Sequence, residues 1–122
     1  MKLPAILAFS ALSLAPCAHG ADLSGLWIVS SSLAQTPVTV DCSILQIGVV
    51  LSGWCEPESA DAAPTALSGA LNQNAASWSY DIPVQGRYVH MVYQGAVSSD
   101  DARISGQLTY GTWTAGLSAV RK

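Results

Sequence analysis

The feature that most constrains the fold of this chain is a two-residue alternation of apolar and polar side chains, which recurs along it after residue 20. No segment there keeps a helical period over the roughly ten residues that a helix needs. The alternation predicts eight strands, near residues 26–31, 37–47, 50–55, 66–72, 76–84, 87–97, 103–110 and 112–121. Turn-forming residues separate these segments, and the longest break covers residues 56–64. The pattern indicates an all-β fold.

The same alternation predicts which side chains face the interior, because successive residues of a strand point to opposite faces of the sheet. The expected inward set is Val40, Cys42, Ile44, Leu51, Cys55, Trp78, Tyr80, Ile82, Val84, Val89, Met91, Tyr93, Val97, Ile104, Leu108, Tyr110, Trp113, Ala115 and Leu117. His90 and Trp54 fall on the outward face. Residues 87–97 also allow the alternative in which the opposite set, Tyr88, His90, Val92 and Ala96, points inward. Closing such a sheet removes its exposed edges, so we expect an eight-stranded antiparallel up-and-down barrel, with a two-sheet sandwich as the alternative.

Two cysteines fall in a register that allows a disulfide. Gly48-Val49 fits a two-residue type II′ hairpin turn, with glycine at its first position. This turn places Cys42 directly opposite Cys55, in a non-hydrogen-bonded pair whose Cα atoms lie about 4.5 Å apart. We therefore expect a Cys42–Cys55 bridge inside the barrel. A redox or metal-binding pair is the alternative, but the chain has no Cys-x-x-Cys motif.

A short unit, Leu-Ser-Gly or Ile-Ser-Gly, recurs at irregular intervals along the chain. Its four copies begin at Leu23, Leu51, Leu67 and Ile104. Irregular spacing excludes a repeat architecture. Because glycine inside a strand permits bending and close approach of a neighbouring strand, we interpret the unit as a device for building a small closed sheet.

Residues 1–20 have the pattern of a cleaved secretory signal peptide. Lys2 precedes an apolar stretch, and small residues lead to a cleavage site expected after Gly20. The apolar stretch is shorter than the roughly 20 residues that span a membrane. Lipidation at Cys17 is the alternative, which the preceding proline disfavours. We therefore expect residues 21–122 to form one periplasmic or secreted domain without a stable membrane span.

Charge and motif content argue against several classes of function. After residue 20, four basic residues are set against eight acidic ones, so the chain does not attract the phosphate backbone of a nucleic acid. No metalloprotease, serine-hydrolase or phosphate-binding motif is present. We expect a non-enzyme that uses no cofactor or metal. The carboxylate pairs Glu56 with Glu58 and Asp100 with Asp101 are interpreted as solvated turn residues, with a weak calcium contact as the alternative.

The chain resembles lipocalin-like barrel proteins of the calycin group, in particular small secreted bacterial members. Gly25-Leu26-Trp27 matches the Gly-x-Trp start of those barrels, and the segment Gly111 to Ala115 with Arg121 is similar to their closing strand. The resemblance covers nearly all of residues 21–122. It implies that Trp27 packs at the closed end of the barrel against the basic side chain of Arg121.

Two related families show weaker likeness. Avidins also start with Gly-x-Trp, but Val29 stands where an avidin carries its biotin-binding asparagine. Periplasmic inhibitors of serralysin-type metalloproteases share the Leu-x-Gly-x-Trp start, matched here from Leu23 to Trp27, and one disulfide. The resemblance to them implies protease inhibition by an N-terminal arm, yet only Ala21 and Asp22 precede the first strand unit.

The candidate binding residues are aromatic. Side chains that are expected to converge inside the barrel and to line a site for a small hydrophobic ligand are Trp27, Trp78, Tyr80, Tyr93, Tyr110 and Trp113. An interior filled by these side chains is the alternative. Trp54 lies outward beside the longest loop, so it is either covered by that loop or part of a surface for a protein partner. A structural surface protein without ligand is a third possibility.

Overall fold

The computed structural model describes residues 21–33, 35–57 and 63–122, and the expected signal peptide therefore lies outside the described residues. The strands are β1 (Gly25–Leu33), β2 (Thr36–Ile47), β3 (Val50–Pro57), β4 (Thr65–Asn72), β5 (Ala75–Val84), β6 (Arg87–Val97), β7 (Arg103–Tyr110) and β8 (Trp113–Arg121). These bounds agree with the predicted strands within two residues at each end. Across this part of the chain, no helix is long and apolar enough to cross a membrane.

The eight strands form a closed antiparallel barrel in which each strand pairs with its neighbours in sequence and β8 pairs with β1. This arrangement confirms the predicted up-and-down barrel, and the sandwich alternative is wrong. Tight turns connect most strands, including Gly48-Val49 between β2 and β3 and Gln85-Gly86 between β5 and β6. Gly48 has a φ of 63°, the left-handed conformation that the first position of a type II′ turn requires.

The predicted disulfide is present between β2 and β3. Cys42 and Cys55 are cross-strand partners, their Cα atoms are 4.1 Å apart, and their sulfur atoms are bonded. Both side chains are buried in the core. The bridge therefore fixes the register of this hairpin from inside the barrel.

One end of the barrel is closed by the segment before β1. Leu23 is fully buried, and its carbonyl oxygen accepts a hydrogen bond of 2.9 Å from Trp27 Nε1. The guanidinium of Arg121 lies 4.5 Å from the centre of the Trp27 ring and donates hydrogen bonds to the carbonyl oxygens of Asp22, Ser24 and Asp101. The contact that the resemblance implied for Trp27 and Arg121 is thus observed.

Two glycines of the recurring unit lie where the backbone of a neighbouring strand approaches closely. A Cβ atom on Gly53 would overlap the carbonyl oxygen of Ser43, and one on Gly106 would overlap that of Gln94. The interpretation of the unit as a device for close strand approach is confirmed at these positions.

The junction between the first and last strands is paired over part of its length. Four residue pairs join β1 and β8, from Trp27 with Arg121 to Ser30 with Ser118. Beyond Ser118, residues 113–117 of β8 pair with β7 alone. The wall of the barrel is therefore least bonded near its other end, where β8 begins.

Candidate functional site

Three aromatic side chains form a cluster in the middle of the barrel. Trp78 and Tyr93 are cross-strand partners on β5 and β6, and their rings stack with centres 5.3 Å apart and planes 8° from parallel. The hydroxyl groups of Tyr80 and Tyr93 lie 2.5 Å apart and share a hydrogen bond. All three side chains are buried, as the alternation predicts.

The hydroxyl groups of Tyr80 and Tyr93 lie in surroundings of low polarity. Burial raises the pKa of Tyr80, and the neighbouring Tyr93 hydroxyl raises it further. Burial also raises the pKa of Tyr93, although the hydrogen bond with Tyr80 partly offsets this. Apart from aromatic residues, no residue with a polar or charged side chain is buried in the described part of the chain. This interior therefore disfavours charged groups.

One polar atom in the cluster has no partner. Trp78 Nε1 is inaccessible to solvent and makes no hydrogen bond with the described residues. An unpaired buried donor costs free energy, and most native structures pair such groups with protein or water. The Nε1–H group of Trp78 is therefore free to donate a hydrogen bond to an acceptor oxygen of a ligand.

A row of neighbouring residues connects this cluster with the rim of the barrel. The row runs across β5, β6, β7 and β8 through the partners Tyr80, Met91, Tyr110 and Trp113. Tyr80 and Met91 are buried, Tyr110 is half-buried, and Trp113 is 61% exposed. Apolar side chains thus extend from the interior to the surface.

Trp113 is exposed, so the prediction that it points into the barrel is wrong. Its parity matches that of the inward residues Leu117 and Ala119, but it is the first residue of β8 and follows a two-residue turn. Within the part of the chain that the structure describes, no strand pairs with β8 on its other side at this level. The side chain therefore lies at the rim instead of in the core.

The other interior predictions are largely confirmed. Trp27 is buried at the closed end of the barrel, where it packs against the segment before β1 instead of joining the cluster of Trp78, Tyr80 and Tyr93. His90 faces outward, where its Nδ1 lies 2.7 Å from Asp81 Oδ1. The side chain of Val84 lies outside the described part of the structure.

Exposed apolar side chains cluster on the outer side of β1, β2 and β3 and on the turn between β2 and β3. Nine large apolar side chains are exposed among the described residues, and six of them belong to this surface. These six, which we call the outer apolar face, are Leu26, Leu45, Ile47, Val49, Val50 and Trp54. Trp54 is 57% exposed, so the prediction that it points outward is confirmed.

A cleft of about 260 Å³ lies at one border of the outer apolar face. Residues at its walls include Leu26, Asp41, Ser43, Trp54, Glu56 and Lys122. Lys122 Nζ lies 3.2 Å from Asp41 Oδ2. No basic side chain of the described residues pairs with Glu56. The cleft therefore combines an aromatic wall with an unneutralised carboxylate.

Trp54 was identified from sequence, whereas the rest of the outer apolar face was not. The sequence does contain a pattern that indicates the outer apolar face. Around the β2–β3 turn, apolar residues occupy inward and outward positions alike, namely Ile44, Leu45, Ile47 and the segment Val49–Leu51. A strand with one solvated face does not need apolar residues on both faces. Weighing the outward residues as well as the inward ones would have found this surface.

The described residues include no group of three His, Cys, Asp or Glu side chains placed to hold a metal ion. In the turn before β7, Ser98 Oγ donates a hydrogen bond to Asp100 Oδ1, which also accepts one from the Ala102 backbone N–H. These bonds lower the pKa of Asp100. Asp100 therefore organises this turn, in agreement with its interpretation as a turn residue.

Family models, curated proteins and solved structures were all compared with this chain, and none of them matches it.

Proposed function

We propose that this protein is a non-catalytic, exported binding protein that docks another protein on the outer apolar face. The observation that carries this proposal is the clustering of six of the nine exposed large apolar side chains of the described residues, five on three adjacent strands and Val49 in the turn between β2 and β3. Scattered exposed apolar residues are ordinary on protein surfaces, but contiguous apolar patches mark interaction sites.

The arrangement of the face supports docking. Leu26, Ser43 and Trp54 are neighbours across β1, β2 and β3, and Ile47 with Val50 forms a further outward pair nearer the turn. Trp54 provides the large, partly exposed aromatic surface that dominates many protein interfaces. The disulfide behind these strands holds the hairpin in one register, so the face is preformed.

We expect Trp54→Ala to weaken binding of the partner by about 2 kcal/mol, or roughly thirtyfold, because tryptophans are enriched among the hot spots of protein interfaces. The partner is first identified by photo-cross-linking in the producing cells from a benzoylphenylalanine at position 45. Its affinity is then measured with purified proteins by isothermal titration calorimetry.

Trp113→Ala is the matched control, because Trp113 is equally exposed but lies at the rim. It should leave the affinity unchanged. Docking on the outer apolar face would be contradicted if both variants weaken the affinity for the partner equally, or if neither variant changes it. Docking there would also be contradicted if a cross-linker at the outward position Gln94 on β6 captures the same protein equally well.

A second candidate function is the binding of a small, mainly apolar molecule inside the barrel, and the unpartnered Trp78 Nε1 favours it. The resemblance to lipocalins supports this candidate, as does the row of apolar side chains from Trp113 to Tyr80. In this proposal the ligand is neutral, because the interior disfavours charge, and it offers an acceptor oxygen to Trp78.

Native mass spectrometry of protein purified without detergent from its own cells tests the second candidate. We expect one small molecule to remain bound to the folded chain. Trp78→Phe, which keeps a ring but removes the N–H donor, should weaken its binding about fivefold. Trp54→Ala should retain the molecule, and an unliganded mass for the unmodified protein would contradict this function.

A further inference from the structure

We propose that the cleft beside Trp54 receives a basic side chain, Arg or Lys, from the protein that docks on the outer apolar face. This inference rests on the proposed docking function and names the chemistry of the partner. It follows from the arrangement of two carboxylates and one indole on neighbouring outward positions.

The carboxylates are placed side by side by the register of the hairpin. Asp41 and Glu56 are cross-strand partners on β2 and β3 and point outward. Like charges directly opposite each other on a sheet are unfavourable. Lys122 neutralises Asp41 through its ion pair. Glu56 has no such counterion among the described residues, so a second cation would complete the group.

The indole lies next to this group. Trp54 and Glu56 are two residues apart on β3 and therefore point to the same side, and both contribute to the cleft. A basic side chain placed there would contact the aromatic ring and the carboxylate together. Cations bind well over tryptophan rings, and the same chain already uses this pairing where Arg121 lies over Trp27.

The charge of the whole domain favours the same partner. After residue 20, acidic residues outnumber basic ones by eight to four, so the field around the protein attracts a basic surface. The apolar side chains beside the cleft, Leu26 and Leu45, are exposed. The expected partner segment therefore presents a basic residue beside apolar ones.

Phage display of random peptides tests this inference directly. The oxidised protein is the target, and Trp54→Ala is used to remove peptides that bind elsewhere. We expect the selected peptides to be enriched in Arg or Lys next to apolar residues. Their affinities are measured by fluorescence polarisation at about 0.01 M and about 0.15 M salt, concentrations at which screening differs strongly.

Glu56→Gln should weaken these peptides about two- to fivefold, as expected for an exposed ion pair, and reduce the dependence of binding on salt. Asp81→Asn removes one exposed carboxylate from β5, away from the cleft, and is the control that should change both by much less. Peptides that depend on Trp54 but lack basic residues, or that bind Glu56→Gln unchanged, overturn this inference and leave docking intact. If no selected peptide depends on Trp54, the docking function itself fails.

Discussion

Replacing Trp27 by Ala is expected to lower the free energy of unfolding by about 3–5 kcal/mol, the usual cost of removing a large buried aromatic side chain. Trp27 is fully buried, and two contacts at the closed end depend on its side chain. Its Nε1–H donates a hydrogen bond to the Leu23 carbonyl oxygen, and its ring lies under the guanidinium of Arg121. Its loss would leave a cavity that these neighbours cannot fill.

Urea unfolding followed by far-ultraviolet circular dichroism measures this effect. Trp27→Phe is the milder variant, because it keeps an aromatic ring under Arg121 and removes the hydrogen bond to Leu23. It should remain folded and fall between the parent and the Ala variant. The exposed Trp54→Ala should change the free energy of unfolding by no more than about 0.5 kcal/mol. A similar loss in all three variants would show that Trp27 has no special role in closing the barrel.

Loss of the disulfide has the second large effect. The double variant Cys42→Ser, Cys55→Ser should lose about 3 kcal/mol of stability, because the bridge closes a loop with a sequence separation of 13 and restricts the unfolded chain. Stabilities of small domains are typically about 5–15 kcal/mol. The bridge is therefore a substantial part of what keeps this fold intact.

Reduction of the parent protein provides the control for this prediction. Unfolding of the parent in a reducing agent should move to the urea concentration measured for the double variant, whereas the double variant should not respond to the reducing agent. If reduction leaves the parent unfolding at its original urea concentration, the bridge contributes little, and packing alone stabilises the hairpin.

The sequence predicts the architecture well because a strand's periodicity is a local property. The register of β2 with β3 follows from one turn, Gly48-Val49, and this turn is sufficient to place Cys42 opposite Cys55. Parity also places Trp78 and Tyr93 inside correctly. Parity fails at Trp113, because burial there depends on whether another strand covers the position, and that is decided by a distant part of the chain.

The candidate sites are less accessible to sequence analysis for the same reason. The pairing of Asp41 with Glu56 depends on the β2–β3 register, which is local, but the ion pair with Lys122 joins residues 81 positions apart. Trp78 Nε1 has no hydrogen-bond partner among the described residues, and this depends on which groups surround it in three dimensions. Periodicity cannot report such an absence. Trp54 was found because its outward direction follows from parity alone.

The seam between β1 and β8 determines the order in which this molecule can be built. Seven of the eight pairings join strands that follow one another, whereas the eighth joins the ends of the domain, where Arg121 bonds to Ser24 across 97 positions. Contacts between distant residues form late, because the intervening chain must first lose its freedom. A nascent chain that still lacks β8 can form hairpins, but no strand is available to pair with the free edge of β1 and close the barrel. The barrel is therefore completed only after synthesis has reached its final strand.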